Sequence, residues 1–233
     1  MKKTVGILLA ILCVFTISAG ADTLVASFDF GAEALYNGLG PYADQSAQFT
    51  FVNDDSGSIG MANDITVELL NGSYFLAGIN SNTADDSTDP IALFGDYYVQ
   101  EGLGDGGDNQ GNFKLTGLDI NQMYDIYMIA PNGTGLGVNN VYGGDYTVGT
   151  KTVSATGGVD GIFTGWVEGR DFAVFHNVGA PTGEFSGTFN RIDSQDHTGI
   201  AGIQIVAVPE PATMSMVGFV GLLTLLIRRR FCA

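Results

Sequence analysis

The chain has 233 residues, of which 25 are acidic and nine basic, for a formal net charge of −16. That length suits one domain plus processing segments, and the acidity argues against nucleic acid and anionic headgroups as partners, since like charges repel. Both cysteines, Cys13 and Cys232, lie in terminal segments, so the body of the chain must rest on an apolar core rather than on disulfides.

The start, MKKTVGILLAILCVFTISAGAD, carries Lys2 and Lys3, then an apolar run from Val5 to Ile17, then the small residues Ala19 and Ala21. This is the layout of a secretory signal peptide over residues 1–21, with cleavage expected between Ala21 and Asp22. The apolar run falls short of the roughly 20 residues a membrane span needs. Ile11 and Leu12 exclude a lipoprotein site at Cys13, which would need small residues before it. All 25 acids lie between Asp22 and Glu210, where only Lys114, Lys151, Arg170 and Arg191 are basic.

From Asp22 onward, short apolar or alternating runs are punctuated by Gly, Asn, Asp, Ser and Pro, the signature of strands and turns. Expected strands are TLVASFDF from Thr23, AQFTFV from Ala47, ITVELL from Ile65, SYFLAGI from Ser73 and DYYV from Asp96. NFKLTG from Asn112, MYDIYMIA from Met123, DYTV from Asp145, KTVSA from Lys151, DFAVFH from Asp171, EFSGTF from Glu184 and IAGIQIVAV from Ile200 complete the set. In the last run Ala201, Ile203, Ile205 and Ala207 share one face, with Gly202 and Gln204 on the other. Many short strands without intervening helices predict an all-β fold, a single antiparallel β-sandwich or jelly roll over residues 22–207. No repeat of 20 to 50 residues is present, which argues against a solenoid or propeller.

Catalytic signals are sparse. The body contains no G-x-S-x-G motif and no cysteine, and its two histidines, His176 and His197, lack ligand spacing and read as surface or turn residues. Paired carboxylates, which a glycosidase needs about 5 to 10 Å apart, are too abundant here to be informative. The single tryptophan, Trp166, is expected in the core, since tryptophan is mostly buried, although an exposed indole stacks well on a sugar ring. The sequons at Asn71 and Asn132 fall in Asn-Gly turns and carry no weight. The metal candidates are NDDSG, with Asn53, Asp54 and Asp55, and GDGGDNQG, with Asp105, Asp108 and Asn109. Close oxygen ligands on glycine-permitted turns suit calcium, yet neither loop has EF-hand spacing and solvated turns share this composition. No cofactor is expected, with calcium the compatible ion.

The tail, VPEPATMSMVGFVGLLTLLIRRRFCA, has three ordered parts: Pro209, Glu210 and Pro211 within 208–211, an apolar run over 212–227, and Arg228, Arg229 and Arg230 within 228–233. This run of 16 residues spans roughly 24 Å as a helix, short against a hydrocarbon core of about 30 Å. The arginines would stop transfer and stay cytoplasmic. This arrangement closely resembles the PEP-CTERM sorting signal of bacterial exported proteins, also called the ice-binding protein C-terminal domain. The resemblance implies trimming by an exosortase, a membrane-embedded protease, with Glu210 recognised between its prolines, after signal peptidase has cleaved the N-terminal signal peptide. The precursor would sit in the inner membrane with its C-terminus cytoplasmic, and the mature protein at the cell surface or in the medium.

The body resembles carbohydrate-binding-like jelly rolls of the galactose-binding-domain kind through LTGLDINQMYDIYMIAPNG, DFAVFHNVGAPTGEFSGTF and IAGIQIVAVPEP. The similarity rests on Gly117, Leu118, Tyr124, Phe175, Gly202 and Ile203, which are packing and turn positions. The expected function is that of a non-catalytic cell-surface or extracellular-matrix protein, either structural or associated with extracellular polysaccharide, that meets the membrane only through its terminal segments. A secreted hydrolase acting on polysaccharide is the alternative. Ice binding is a third, although the sequence shows no regular threonine ladder.

Overall fold

Period-two alternation of apolar and polar residues builds this domain. β1 (Thr23–Phe30) turns Ala26, Phe28 and Phe30 inward and Ser27 and Asp29 outward. β4 (Ile65–Leu70) buries Ile65, Val67 and Leu69 in the same way, and β7 (Gln110–Thr116) buries Phe113 and Leu115. The computed structural model describes residues 21–30, 38–42, 49–52, 59–70, 73–76, 96–100, 110–131, 143–157, 165–192 and 198–209. Its elements there are all strands, and Asp22–Val208 form one compact unit.

The remaining strands are β2 (Thr50–Val52), β3 (Ile59–Ala62), β5 (Ser73–Leu76), β6 (Asp96–Gln100), β8 (Met123–Ile129), β9 (Gly144–Val148), β10 (Lys151–Ala155), β11 (Phe172–Gly179), β12 (Glu184–Asn190), β13 (Thr198–Ile200) and β14 (Gly202–Val208). Sheet A runs β11-β8-β14-β1-β2 and sheet B runs β10-β9-β12-β7-β4-β3, while β13-β6-β5 form a smaller third sheet. Pairing is antiparallel except between β1 and β2, where Phe28 faces Thr50 in parallel register. Inward side chains of the two large sheets share one apolar cluster, the arrangement of a β-sandwich. Phe175 of sheet A meets Phe185 of sheet B edge to face, with centroids 5.5 Å apart and planes at 75°.

Local chemistry sets the details. Asn63 and Asp64 both take positive φ, 49° and 66°, and so close a tight two-residue turn between β3 and β4. Gly117 then packs against that turn: its φ is +86°, and a Cβ there would lie 2.1 Å from the Asp64 carbonyl oxygen. Tyr146 is wholly buried and donates its hydroxyl to the Gly199 carbonyl at 3.0 Å.

Two features depart from the sequence reading. β3 was not expected, because its outward residues Ile59 and Met61 are apolar and exposed while its inward ones are the small Gly60 and Ala62. The run IAGIQIVAV is also two strands. At Ala201, whose N–H bonds the Ile129 carbonyl and whose carbonyl accepts from Phe30, the chain passes from the small sheet into sheet A. Among the described residues no helix is long and apolar enough to cross a membrane, and the run 212–227 lies outside them.

Candidate functional site

The side of sheet A turned away from the core brings together aromatic, amide, hydroxyl and carboxylate side chains. Register places Tyr127, Val174 and Gln204 abreast on this face, with Phe172 and Ile129 in the next row, Ser27 opposite Gln204 and Asp29 opposite Gly202. Most of this outer face is not solvated: Ser27 and Asp29 are fully buried and Gln204 is 1% exposed. Part of the cover is the segment 38–42. Its Tyr42 N–H donates to Gln204 Oε1 at 3.0 Å, and the Gln204 amide in turn donates to Ser27 Oγ at 3.2 Å. Gly40 passes so close that a Cβ there would sit 2.3 Å from Gln204 Oε1. The Tyr42 hydroxyl donates to the Asp22 carbonyl at 2.7 Å, tying the segment to the first residue of the domain.

A line of aromatic rings runs along this face. Tyr42 and Tyr127 have centroids 6.1 Å apart, Tyr127 and Phe172 5.7 Å, and Phe172 and Trp166 6.3 Å, the last pair edge on at 70°. Trp166 is half-buried here rather than in the core as expected. Its indole N–H needs an acceptor and finds the Leu39 carbonyl at 2.9 Å, at the margin of the sheet. The turn carrying it is held from beneath. Asp171, 2% exposed, accepts the Val167 N–H at 2.9 Å and receives Arg170 through Nε at 2.8 Å and Nη2 at 2.7 Å. Arg170 Nη2 also donates to the Gly165 carbonyl, and the Thr156 and Gly157 N–H groups donate to the Gly169 and Arg170 carbonyls.

Carboxylates border the rings. Burial, followed by the charges of Asp125, Tyr42, Asp22 and Glu168, pushes the Tyr127 phenol up to about 12. Asp125 also stands opposite a β-bulge, where His176 and Asn177 of β11 face one residue of β8. Its Oδ1 accepts the Asn177 N–H and its Oδ2 lies 2.8 Å from His176 Nδ1, while Asn177 takes φ 51°. A carboxylate–imidazole pair is two of the three parts of a nucleophilic relay, and alone it does no such chemistry. Aromatic faces beside carboxylates and a backbone-anchored indole suit a sugar: C–H faces stack on the rings and hydroxyls donate to the carboxylates.

The opposite, outward side of sheet B brings together residues far apart in sequence. Asn112, Thr188, Thr147 and Thr152 lie abreast across β7, β12, β9 and β10, and the Thr147 and Thr152 hydroxyls are 2.8 Å apart. The Lys114–Glu184 ion pair at 3.0 Å lies on the same side.

Among the sites expected from sequence, Ala21 is the first described residue, Asp22 opens the compact unit and Pro209 directly follows β14. Asp54, Asp55, Asp105, Asp108, Glu210, Pro211, Arg228, Arg229, Arg230, His197, Asn71 and Asn132 lie outside the described residues. Among the described residues no group of three or more His, Cys, Asp or Glu is placed to hold a metal. Leu118, Tyr124, Phe175 and Ile203 are buried, as packing positions should be. Tyr42, Tyr127 and Phe172 were missed. The signal available for Tyr127 was its phase in MYDIYMIA, opposite to core-facing Tyr124, Ile126 and Met128.

Residues 207–230 match the model of the PEP-CTERM protein-sorting motif. The chain therefore carries a PEP-CTERM sorting signal, which implies an exported protein sorted and processed by an exosortase. No curated protein matches the sequence significantly. Two solved structures are similar to this chain: the ANX1 ectodomain from Arabidopsis thaliana at 13% identity and TM-score 0.42, covering 82% of this chain and 42% of that one, and the ANX2 ectodomain from the same plant at 12% identity and TM-score 0.45, covering 80% and 50%. The chain thus spans half or less of either ectodomain.

Proposed function

We propose that the protein is an exported, non-catalytic surface module that holds extracellular polysaccharide at the uncovered margin of the outer face of sheet A, where Tyr42, Tyr127 and Trp166 are half-buried. In this reading signal peptidase removes residues 1–21, the apolar run 212–227 holds the precursor in the inner membrane with Arg228 to Arg230 inside, and exosortase trimming delivers the domain to the cell surface or the medium. The sorting motif supports the route. The observation that carries the ligand is the half-buried set Tyr42, Tyr127 and Trp166, backed by the buried Phe172 that packs against the last two and bordered by Asp22, Asp125 and Glu168. The acidic border favours neutral or amine-bearing glycans over uronate or sulfate polymers, which the net charge of −16 would repel.

Retention of the mature domain on immobilised neutral, amine-bearing and uronate-rich polysaccharides tests this. Binding is expected on the first two, weakened about tenfold by Tyr127→Ala or Trp166→Ala, the loss of roughly one aromatic contact. Absence of retention on all three would leave a structural role only.

Ice binding has one observation in its favour, the cross-strand row Asn112, Thr188, Thr147 and Thr152. The row is short and shares its face with charged Lys114 and Glu184. An ice-recrystallisation assay decides it: no inhibition by the mature domain ends this reading.

A further inference from the structure

Sheet A brings the two processing junctions of the chain to one place. Thr23, one residue past Asp22, is the antiparallel partner of Ala207, and Val208, the last residue of β14, is the partner of Met123. Neighbouring strands run about 4.8 Å apart. The expected signal-peptide junction at Ala21–Asp22 and the sorting triplet from Pro209 therefore leave the domain from adjacent strands at one end of one sheet. That end is tied down as well as paired: the Gln122 side-chain amide donates to the carbonyls of both Met123 and Val208. No spacer separates β14 from the triplet, because Pro209 follows Val208 directly and, lacking an N–H, ends the ladder.

A protease takes its substrate as extended chain on both sides of the scissile bond, commonly through strand-like backbone hydrogen bonds. In this protein the backbone on the N-terminal side of the triplet is already used. Residues 202–208 pair with β8 on one side, and 202–207 pair with β1 on the other, across the middle of sheet A. We propose that the folded β1–β14–β8 ladder governs both where and how fast the sorting protease cuts. The scissile bond lies beyond Val208, β14 stays whole in the mature protein, and the intact ladder slows cleavage relative to an unpaired junction. This rests on the sorting reading above.

Pulse–chase of the full-length precursor in an exosortase-containing host tests it with three chains. One is natural, one has a Gly/Ser hexapeptide between Val208 and Pro209, and one has the same hexapeptide between Gly149 and Thr150, in the exposed β9–β10 turn. The junction insertion should be trimmed about tenfold faster, a factor matching roughly one net hydrogen bond, while the turn insertion is trimmed at the natural rate. Mass spectrometry should find every mature C-terminus at or beyond Val208. Equal rates for the natural and junction chains, or a product ending inside β14, overturn the proposal while leaving the sorting reading intact. If no chain is trimmed at all, the sorting reading fails and takes the proposal with it.

Discussion

Arg170 grips the carboxylate of its own chain neighbour, Asp171, through two parallel hydrogen bonds of 2.8 and 2.7 Å. The Asp171 side chain is 3% exposed, so the pair buries a charge beneath the turn that presents Trp166. Asp171→Ala leaves the Val167 N–H without its acceptor and releases the Arg170 guanidinium, which is 35% exposed and can turn to water, at an expected cost of about 2 kcal/mol. The only tryptophan in the chain sits on that turn, so the loss reads out twice: in chemical denaturation and as a red shift of native-state emission. An unchanged emission maximum would mean the clamp does not position the indole.

Tyr127 gives the domain an alkaline limit. Its folded pKa, raised from 10.0 to about 12 chiefly by burial, exceeds the value in the unfolded chain. Its contribution to stability is therefore complete below pH 10 and is lost as pH rises through the folded value. Tyr124 and fully buried Tyr146 are shifted in the same direction, also chiefly by burial. Melting temperature should fall between about pH 10 and 12, and Tyr127→Phe should make that fall shallower. An identical slope in the variant would show that Tyr127 contributes nothing to it.

Gly117 is fixed by backbone geometry. At φ +86°, with the Asp64 carbonyl oxygen 2.1 Å from where a Cβ would be, alanine meets both strain and a backbone clash. Gly117→Ala should cost about 2 kcal/mol, or about 4–8 °C in melting temperature for a domain of this size. Gly149, also at positive φ but with open space around it, should lose less on the same substitution.

Much of this was legible because one face of each strand is apolar. ITVELL and KTVSA are strands over the same residues that were read from the sequence, DYTV and EFSGTF lie within slightly longer ones, and NFKLTG runs one residue past β7, to Gly117. Where pattern and burial part company, the reading failed. β3 turns Ile59 and Met61 to solvent, so its alternation carries no inward signal. Gln204 sits on the polar phase of β14 yet is buried, because a segment more than 160 residues earlier covers it, a relation no local window contains. The threonine row on sheet B is invisible for the same reason, since its members come from separate strands and become neighbours only through register.

Asp125 couples the bulge to the aromatic face. One oxygen holds the Asn177 backbone and the other holds His176, and its charge is the second-largest cause of the raised Tyr127 pKa. The His176 ring is 52% exposed, so its pairing is worth little, and His176→Ala should change stability by about 0.5 kcal/mol or less. Asp125→Ala removes the acceptor of a backbone N–H at the strained Asn177 and should cost about 1–2 kcal/mol. Asp125→Asn separates the two roles, since an amide oxygen still accepts from Asn177 while the charge beside Tyr127 is gone. It should retain most of the stability lost in Asp125→Ala, yet lower the midpoint of Tyr127 ionisation, followed by ultraviolet difference absorbance. If the midpoint stays near 12, the Asp125 charge does not act on Tyr127 and its role is confined to the bulge.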